Sequence, residues 1–99
     1  MRPVRVHPEA EQEADAAFDR LFEQSRIAAL GFDDELQNAY QYLRVYPLLC
    51  PPYLHSTRRV ILNRYPFSVV FRERLHDLQI IAVAHAKRRP GYWAKRTKP

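Results

Sequence analysis

At 99 residues the chain fits one domain, and it should bury roughly two thirds of the surface of its unfolded form. No apolar run approaches the roughly 20 residues of a membrane span, and a single cysteine excludes an internal disulfide, so we expect a protein of the reducing cytoplasm. The net charge of +5 is unevenly divided, with −4 on residues 1–55 and +9 on residues 56–99, which predicts that the basic half binds an anionic partner.

The acidic half predicts a short strand followed by two helices. Val4 to His7 alternates apolar and polar residues between two prolines, which indicates an edge strand. A first helix is predicted from Pro8 to Gln24, with carboxylates in its first turns and an apolar stripe of 3.6-residue period. A second is predicted from Phe32 to Val45 after a break at Gly31, although the composition of residues 27–30 is also helical. Two such helices should pack as an antiparallel hairpin.

A proline-rich connection and three strands follow. Residues 47–56 are predicted to be a stiff extended connection. Short runs of β-branched and aromatic residues predict strands at Arg59–Leu62, Phe67–Arg72 and Leu78–His85. Connections this short join antiparallel neighbours. The order predicts an α+β fold: a short N-terminal strand and a helix hairpin packed on one face of a mainly antiparallel three- to four-stranded sheet, with the other face left to solvent or partners.

Basic and aromatic residues gather on these strands and at their ends. The cations there are Arg58, Arg59, Arg64, Arg72, Arg74, Lys87, Arg88 and Arg89. Tyr65, Tyr92 and Trp93 lie beside them, and arginines with stacking rings are the usual combination for single-stranded nucleic acid. Arginine also binds the carboxylates of an acidic or amphipathic protein segment. RNA and a protein partner therefore both stay open from the residues alone.

Other chemistries have little support in the sequence. Gly31 and Gly91 are the only glycines, so a phosphate-binding glycine loop is excluded, and we expect no cofactor. The four histidines lack ligand spacing, so no metal site is predicted. Cleavage of RNA without a metal needs a base, an acid and cations, and His85, Tyr92 and the arginines are able to fill these roles. A purely structural histidine at a strand end is the commoner interpretation of His85.

Four stretches of the chain, in order, resemble the RelE/ParE superfamily of bacterial toxins. They are His7-Pro8-Glu9-Ala10-Glu11 before an Ala-rich helix, the pair Arg58-Arg59, the run from Arg64 to Arg72, and the run from Ile81 to Trp93. The ending His-x-x-Arg-Arg-Pro-x-x-Trp is most similar to the ParE branch.

The resemblance implies the toxin of a type II toxin–antitoxin pair, a growth inhibitor of the kind that stabilises plasmids. Its cognate antitoxin would be a short protein whose flexible C-terminal segment wraps the toxin and pairs with the basic sheet surface, while its N-terminal part binds operator DNA. Toxins of the ParE branch poison DNA gyrase, whereas those of the RelE branch cleave messenger RNA on the ribosome. Here Ser68 lies where a third-strand arginine of the nucleases is expected, and no lysine precedes Lys87.

We therefore favour a toxin that acts by binding gyrase over an enzyme, with a ribosome-dependent nuclease or a non-toxic partner-binding relative as alternatives. The residues expected to contact the antitoxin or the target are Arg58, Arg59, Arg64, Arg72, Lys87, Arg88, Arg89, Tyr92 and Trp93. A nuclease would use His85, Arg88 and Tyr92. Residues 1–93 are predicted to form the toxin domain and residues 94–99 a basic, frayed tail.

Overall fold

The computed structural model describes residues 1–98, in which two helices pack on one face of a five-stranded sheet. The helices are α1 (Pro8–Gln24) and α2 (Arg26–Val45). The strands are β1 (Val4–Val6), β2 (Pro52–Tyr53), β3 (Thr57–Ile61), β4 (Phe67–Glu73) and β5 (Leu78–His85). Their spatial order is β1-β5-β4-β3-β2, with β1 parallel to β5 and the other pairs antiparallel. The predicted α+β fold class is confirmed, and the proline-rich connection adds β2 to the sheet.

The two helices meet at a single residue. His7 caps α1, since its Nδ1 accepts a hydrogen bond from the N–H of Glu9 at 3.1 Å, and the bounds of α1 agree with the prediction. Ser25 is extended, ends α1 and caps α2, because its Oγ accepts from the N–H of Ala28 at 3.2 Å. This link folds the helices into the predicted hairpin.

No helix within residues 1–98 is long and apolar enough to cross a membrane.

Helix α2 runs through Gly31, so the predicted break there is wrong. The hydroxyl of Tyr65 lies against this turn of α2 and donates a hydrogen bond to the carbonyl of Ala28 at 2.8 Å. A Cβ on Gly31 would lie 2.5 Å from that hydroxyl oxygen. The glycine is therefore required for the close approach of a side chain from the loop after β3, and it does not end the helix.

Gly31→Ala is expected to destabilise the protein by about 1 kcal/mol, because overpacking and the lost Tyr65 hydrogen bond exceed the gain of roughly 1 kcal/mol in helix propensity. In a Tyr65→Phe background the same substitution should be neutral or stabilising, since the clashing oxygen is gone. Urea unfolding of the two single variants and the double variant measures this difference. Equal effects of Gly31→Ala in both backgrounds would contradict the proposed steric cause.

The main core lies between the helices and the sheet. It contains Phe32, Leu36 and Leu43 from α2, Val69 and Phe71 from β4, and Ile80 and Val83 from β5. A second buried cluster lies on the opposite face and contains Val70, Ile81, Ala82 and Trp93. The pairing of β4 with β5 shifts between Val70 and Phe71, because Val70 pairs with Ala82 and Phe71 with Ile80. Ile81 is therefore an extra residue in β5, as in a β-bulge, and it joins Ala82 in the second cluster. The prediction that the second face is open is wrong at its centre, which the chain itself covers.

The C-terminal turn (Ala94–Thr97) forms a short 3-10 helix that contacts α1 through Arg96. The Nη1 atom of Arg96 lies 2.9 Å from the Oε1 atom of Glu13. The fraying predicted after residue 93 is therefore wrong for residues 94–97. The division of the chain into a domain of residues 1–93 and a basic tail stays a prediction, and Pro99, at the end of that tail, lies outside the described residues.

Candidate binding groove

A groove of about 250 Å³ crosses the sheet on the face opposite the helices. Its floor contains apolar and small side chains of three neighbouring strands: Ile61, Ser68, Val70 and Ala84. Its walls are Tyr53 and the C-terminal loop (residues 86–93). Ile61 is 60% exposed, so the floor offers apolar surface that the other residues of the range 1–98 leave uncovered.

Three arginines line the groove: Arg59, Arg88 and Arg89. The guanidinium of Arg59 lies 4.0 Å from the centre of the Tyr53 ring, and that of Arg88 lies 3.8 Å from the centre of the Tyr92 ring. These cation–π contacts position the two guanidinium groups without neutralising them. Within residues 1–98, none of the three arginines pairs with a carboxylate. Their charge is therefore available to an anionic partner.

Two of the predicted contact residues hold other parts of the chain in place. Arg58 donates a hydrogen bond to the carbonyl of Cys50 at 2.7 Å, and its Nε lies 3.5 Å from Glu73. Arg72 donates to the Oε1 atom of Gln79 at 2.9 Å and to the carbonyl of Thr97 at 2.7 Å. Both guanidinium groups thus hold backbone segments against the sheet, and they are not available to bind a partner.

The remaining predicted contacts lie in three different surroundings. The Nε atom of Arg64 lies 3.5 Å from Glu35 on α2, although the Arg64 side chain is 73% exposed. Lys87 is exposed and lies on the side of the C-terminal loop that faces α1. Trp93 is only 1% exposed, so the prediction that its ring contacts a partner is corrected to a structural role. Of the nine predicted contacts, the groove thus collects Arg59, Arg88, Arg89 and Tyr92 as accessible side chains.

A largely buried ion pair that the sequence does not reveal holds the C-terminal loop and turn against α1. The Oε1 atom of Glu13 accepts from the N–H of Val83 at 3.1 Å and from Nη1 of Arg96 at 2.9 Å. Its Oε2 atom accepts from the hydroxyl of Tyr92 at 2.5 Å and from Nη2 of Arg96 at 3.1 Å. Burial, the largest single influence, would lower the pKa of Arg96, but the hydrogen bond with Glu13 and the negative charges of Glu13 and Glu9 together outweigh burial and raise the pKa. No local pattern signals this pair, because its members are far apart in the sequence.

The predicted nuclease residues His85, Arg88 and Tyr92 line one cavity between α1 and the sheet. The Nδ1 atom of His85 accepts from the N–H of Lys87 at 3.0 Å. Burial and the hydrogen bond to Glu13 raise the pKa of Tyr92, so its hydroxyl stays protonated and engaged at neutral pH. Within the described residues, no three His, Cys, Asp or Glu side chains form a group that could hold a metal ion.

A family model matches most of the chain, and a solved structure shares its fold. The family model described as "ParE toxin of type II toxin-antitoxin system, parDE" matches residues 4–90. A solved structure described as "Chromosomal ParDE TA system from P. aeruginosa" matches with a TM-score of 0.77 and 20% sequence identity, over 88% of this chain and 98% of that chain. A comparison with curated protein sequences finds no significant match. The family model ends before Tyr92, Trp93 and Arg96, which fasten the C-terminal loop and turn.

Proposed function

This chain belongs to the ParE toxin family of type II toxin–antitoxin systems, and we propose that it arrests growth by binding DNA gyrase through the groove. The observation that carries the proposal is the set of three guanidinium groups of Arg59, Arg88 and Arg89, which pair with no carboxylate of residues 1–98 and lie above an apolar floor. Guanidinium groups bind carboxylates in a bidentate manner, and uncovered apolar surface adds affinity for a partly apolar protein segment. This arrangement suits binding to a protein surface.

We infer that a cognate antitoxin neutralises the toxin by covering the same groove. A flexible C-terminal segment with carboxylates and apolar residues complements the arginines and Ile61, while the antitoxin's N-terminal part binds operator DNA. The similar solved structure is that of a ParDE toxin–antitoxin system, which supports this inference. Because one surface serves both partners, the bound antitoxin excludes gyrase. Both encounters take place in the cytoplasm.

Ribosome-dependent cleavage of messenger RNA is the second candidate, favoured by the cavity that His85, Arg88 and Tyr92 line together. The raised pKa of Tyr92 and the hydrogen bond of its hydroxyl to Glu13 oppose this role, since they leave no base at that atom. We therefore rank binding above catalysis. A non-toxic relative that keeps only partner binding is the third interpretation.

Inducing the gene with and without its neighbouring gene tests these interpretations. If the proposal holds, growth stops only without the neighbour, chromosomal DNA becomes cleaved or relaxed, an SOS response follows, and transcripts stay intact. Codon-specific cuts in translated messages would instead favour the nuclease. Normal growth in both cultures would leave only the partner-binding relative.

The triple variant Arg59→Ala/Arg88→Ala/Arg89→Ala is expected to lose growth arrest. Each lost charge-assisted contact weakens binding by about tenfold or more, so the loss of three contacts should lower the affinity for purified gyrase by about 1,000-fold. The matched control Arg26→Ala/Lys95→Ala/Lys98→Ala removes three positive charges from exposed positions outside the groove. This control should keep both growth arrest and affinity for gyrase. Growth arrest by the groove variant at wild-type strength would overturn the assignment of the groove.

A further inference from the structure

A second cavity lies on the other side of the C-terminal loop, between α1 and the end of the sheet. Its volume of about 420 Å³ is within the range of pockets that hold small ligands. Its floor is apolar and consists of Ala16, Ala17, Phe67 and Val83. The stacked pair of Arg88 and Tyr92 forms the wall between this cavity and the groove.

The rim of this cavity is positively charged. Arg20 on α1 faces Lys87 and Arg88 on the C-terminal loop, and within residues 1–98 none of these three cations forms an ion pair. Among the described residues, Glu13 is the single carboxylate in the lining, and Arg96 already compensates its charge. The cavity therefore presents three positive charges and no free negative charge.

His85 adds a hydrogen-bond donor to the same lining. Its Nδ1 atom accepts from the N–H of Lys87, so the neutral ring carries its proton on Nε2. The ring packs edge-on against Phe67 with the two ring centres 4.9 Å apart, which fixes its orientation. Within the described residues, Nε2 of His85 has no hydrogen-bond partner.

We propose that this cavity binds a small organic anion, in which a phosphate or carboxylate group is attached to a ring-sized apolar body. Arg20, Lys87 and Arg88 hold the anionic group at the rim, and the apolar body packs on Ala16, Ala17 and Phe67. Both the anionic group and the apolar body of the ligand are needed for binding. Exposed cations alone bind anions weakly, and salt screens that attraction. The site shares the wall of Arg88 and Tyr92 with the groove but has its own floor and rim, and its occupancy does not depend on whether gyrase is the target.

Binding of phenyl phosphate and benzoate to the full-length protein tests this proposal by NMR. Both probes are expected to shift the backbone amides of Ala16 and Ala17, and the tighter of the two identifies the preferred anionic group. Phenol lacks the charge and inorganic phosphate lacks the apolar body. Each of these two should bind at least about tenfold more weakly, which is the effect of losing one favourable contact of about 1.4 kcal/mol.

Two variants of the rim separate this cavity from general attraction to a basic protein. Arg20→Ala should weaken phenyl phosphate binding about tenfold, as should Lys87→Ala. Arg26→Ala removes an equally exposed arginine from outside the cavity and should bind like wild type. The proposal would be overturned if all three variants bound phenyl phosphate with equal affinity. It would also be overturned if the NMR shifts were confined to the amides of Ile61 and Ser68 in the groove. Thermal unfolding of each variant shows that loss of binding is not loss of folding.

Discussion

Changing Arg96 to alanine is expected to destabilise the folded protein by about 3 kcal/mol, although the residue lies close to the C-terminal end. The side chains of Arg96 and Glu13 are only 12% and 16% exposed, so little water can replace the lost partner. Without Arg96, the carboxylate of Glu13, which is largely buried, loses the cation that compensates its charge. The carbonyl of Ile81 also loses the hydrogen bond that Arg96 donates to it at 3.1 Å.

Urea unfolding followed by circular dichroism measures the loss of stability in Arg96→Ala. Tryptophan fluorescence shows whether the C-terminal turn is the part that opens. Trp93 is the only tryptophan, and it precedes the C-terminal turn directly. If Arg96→Ala releases the turn, Trp93 becomes exposed and its emission shifts to the red before global unfolding. The control is Arg64→Ala, which removes a pair with Glu35 whose arginine is 73% exposed. It should cost less than about 1 kcal/mol.

Equal losses in the two variants, with unchanged Trp93 emission, would contradict the structural role given to Arg96. The C-terminal turn would then be a peripheral feature of the fold. If the expected result is found, the toxic activity of Arg96→Ala should fall too, because the C-terminal loop that presents Arg88 and Arg89 would no longer be held in place.

Local sequence patterns predicted most of the fold, and they failed where a distant residue decides the structure. The bounds of α1 follow from Pro8 and the apolar stripe, and those of β5 from its β-branched run. Gly31 was interpreted as a break because its true partner, Tyr65, lies in a loop far along the chain. Closure of the second face could not be predicted, since composition does not distinguish a buried tryptophan at position 93 from an exposed one.

The candidate site was predicted as a basic surface, but its members could not be sorted from the sequence. A count of charges treats Arg58, Arg59 and Arg72 alike. Of these three, Arg59 lines the groove and pairs with no carboxylate among the described residues. Arg58 and Arg72 instead donate hydrogen bonds to backbone carbonyls. The same count does not distinguish Arg96, which belongs to a buried pair. An arginine's role depends on which acceptor the fold places near it, and that is a property of tertiary structure.

Trp93→Ala is expected to destabilise the protein by about 3 to 5 kcal/mol, the usual range for truncating a large buried aromatic side chain. Trp93 fills the second core cluster against Val70 and Ile81. Its ring centre also lies 6.0 Å from that of Tyr53 and 5.7 Å from that of His55. His55 has a φ of 57°, a strained value that the surrounding packing maintains. Removing the indole therefore leaves a cavity and also frees a strained turn.

Far-ultraviolet circular dichroism in urea is the measurement, since the variant has no tryptophan left to report. Tyr42→Ala, which truncates an aromatic residue that is 44% exposed, is the matched control and should cost less than about 1 kcal/mol. Trp93→Phe keeps a ring in the cluster and should retain most of the stability, and with it growth arrest. If Trp93→Phe instead abolished growth arrest without loss of stability, the indole would act as a contact to the target, and its assignment to the core would be wrong.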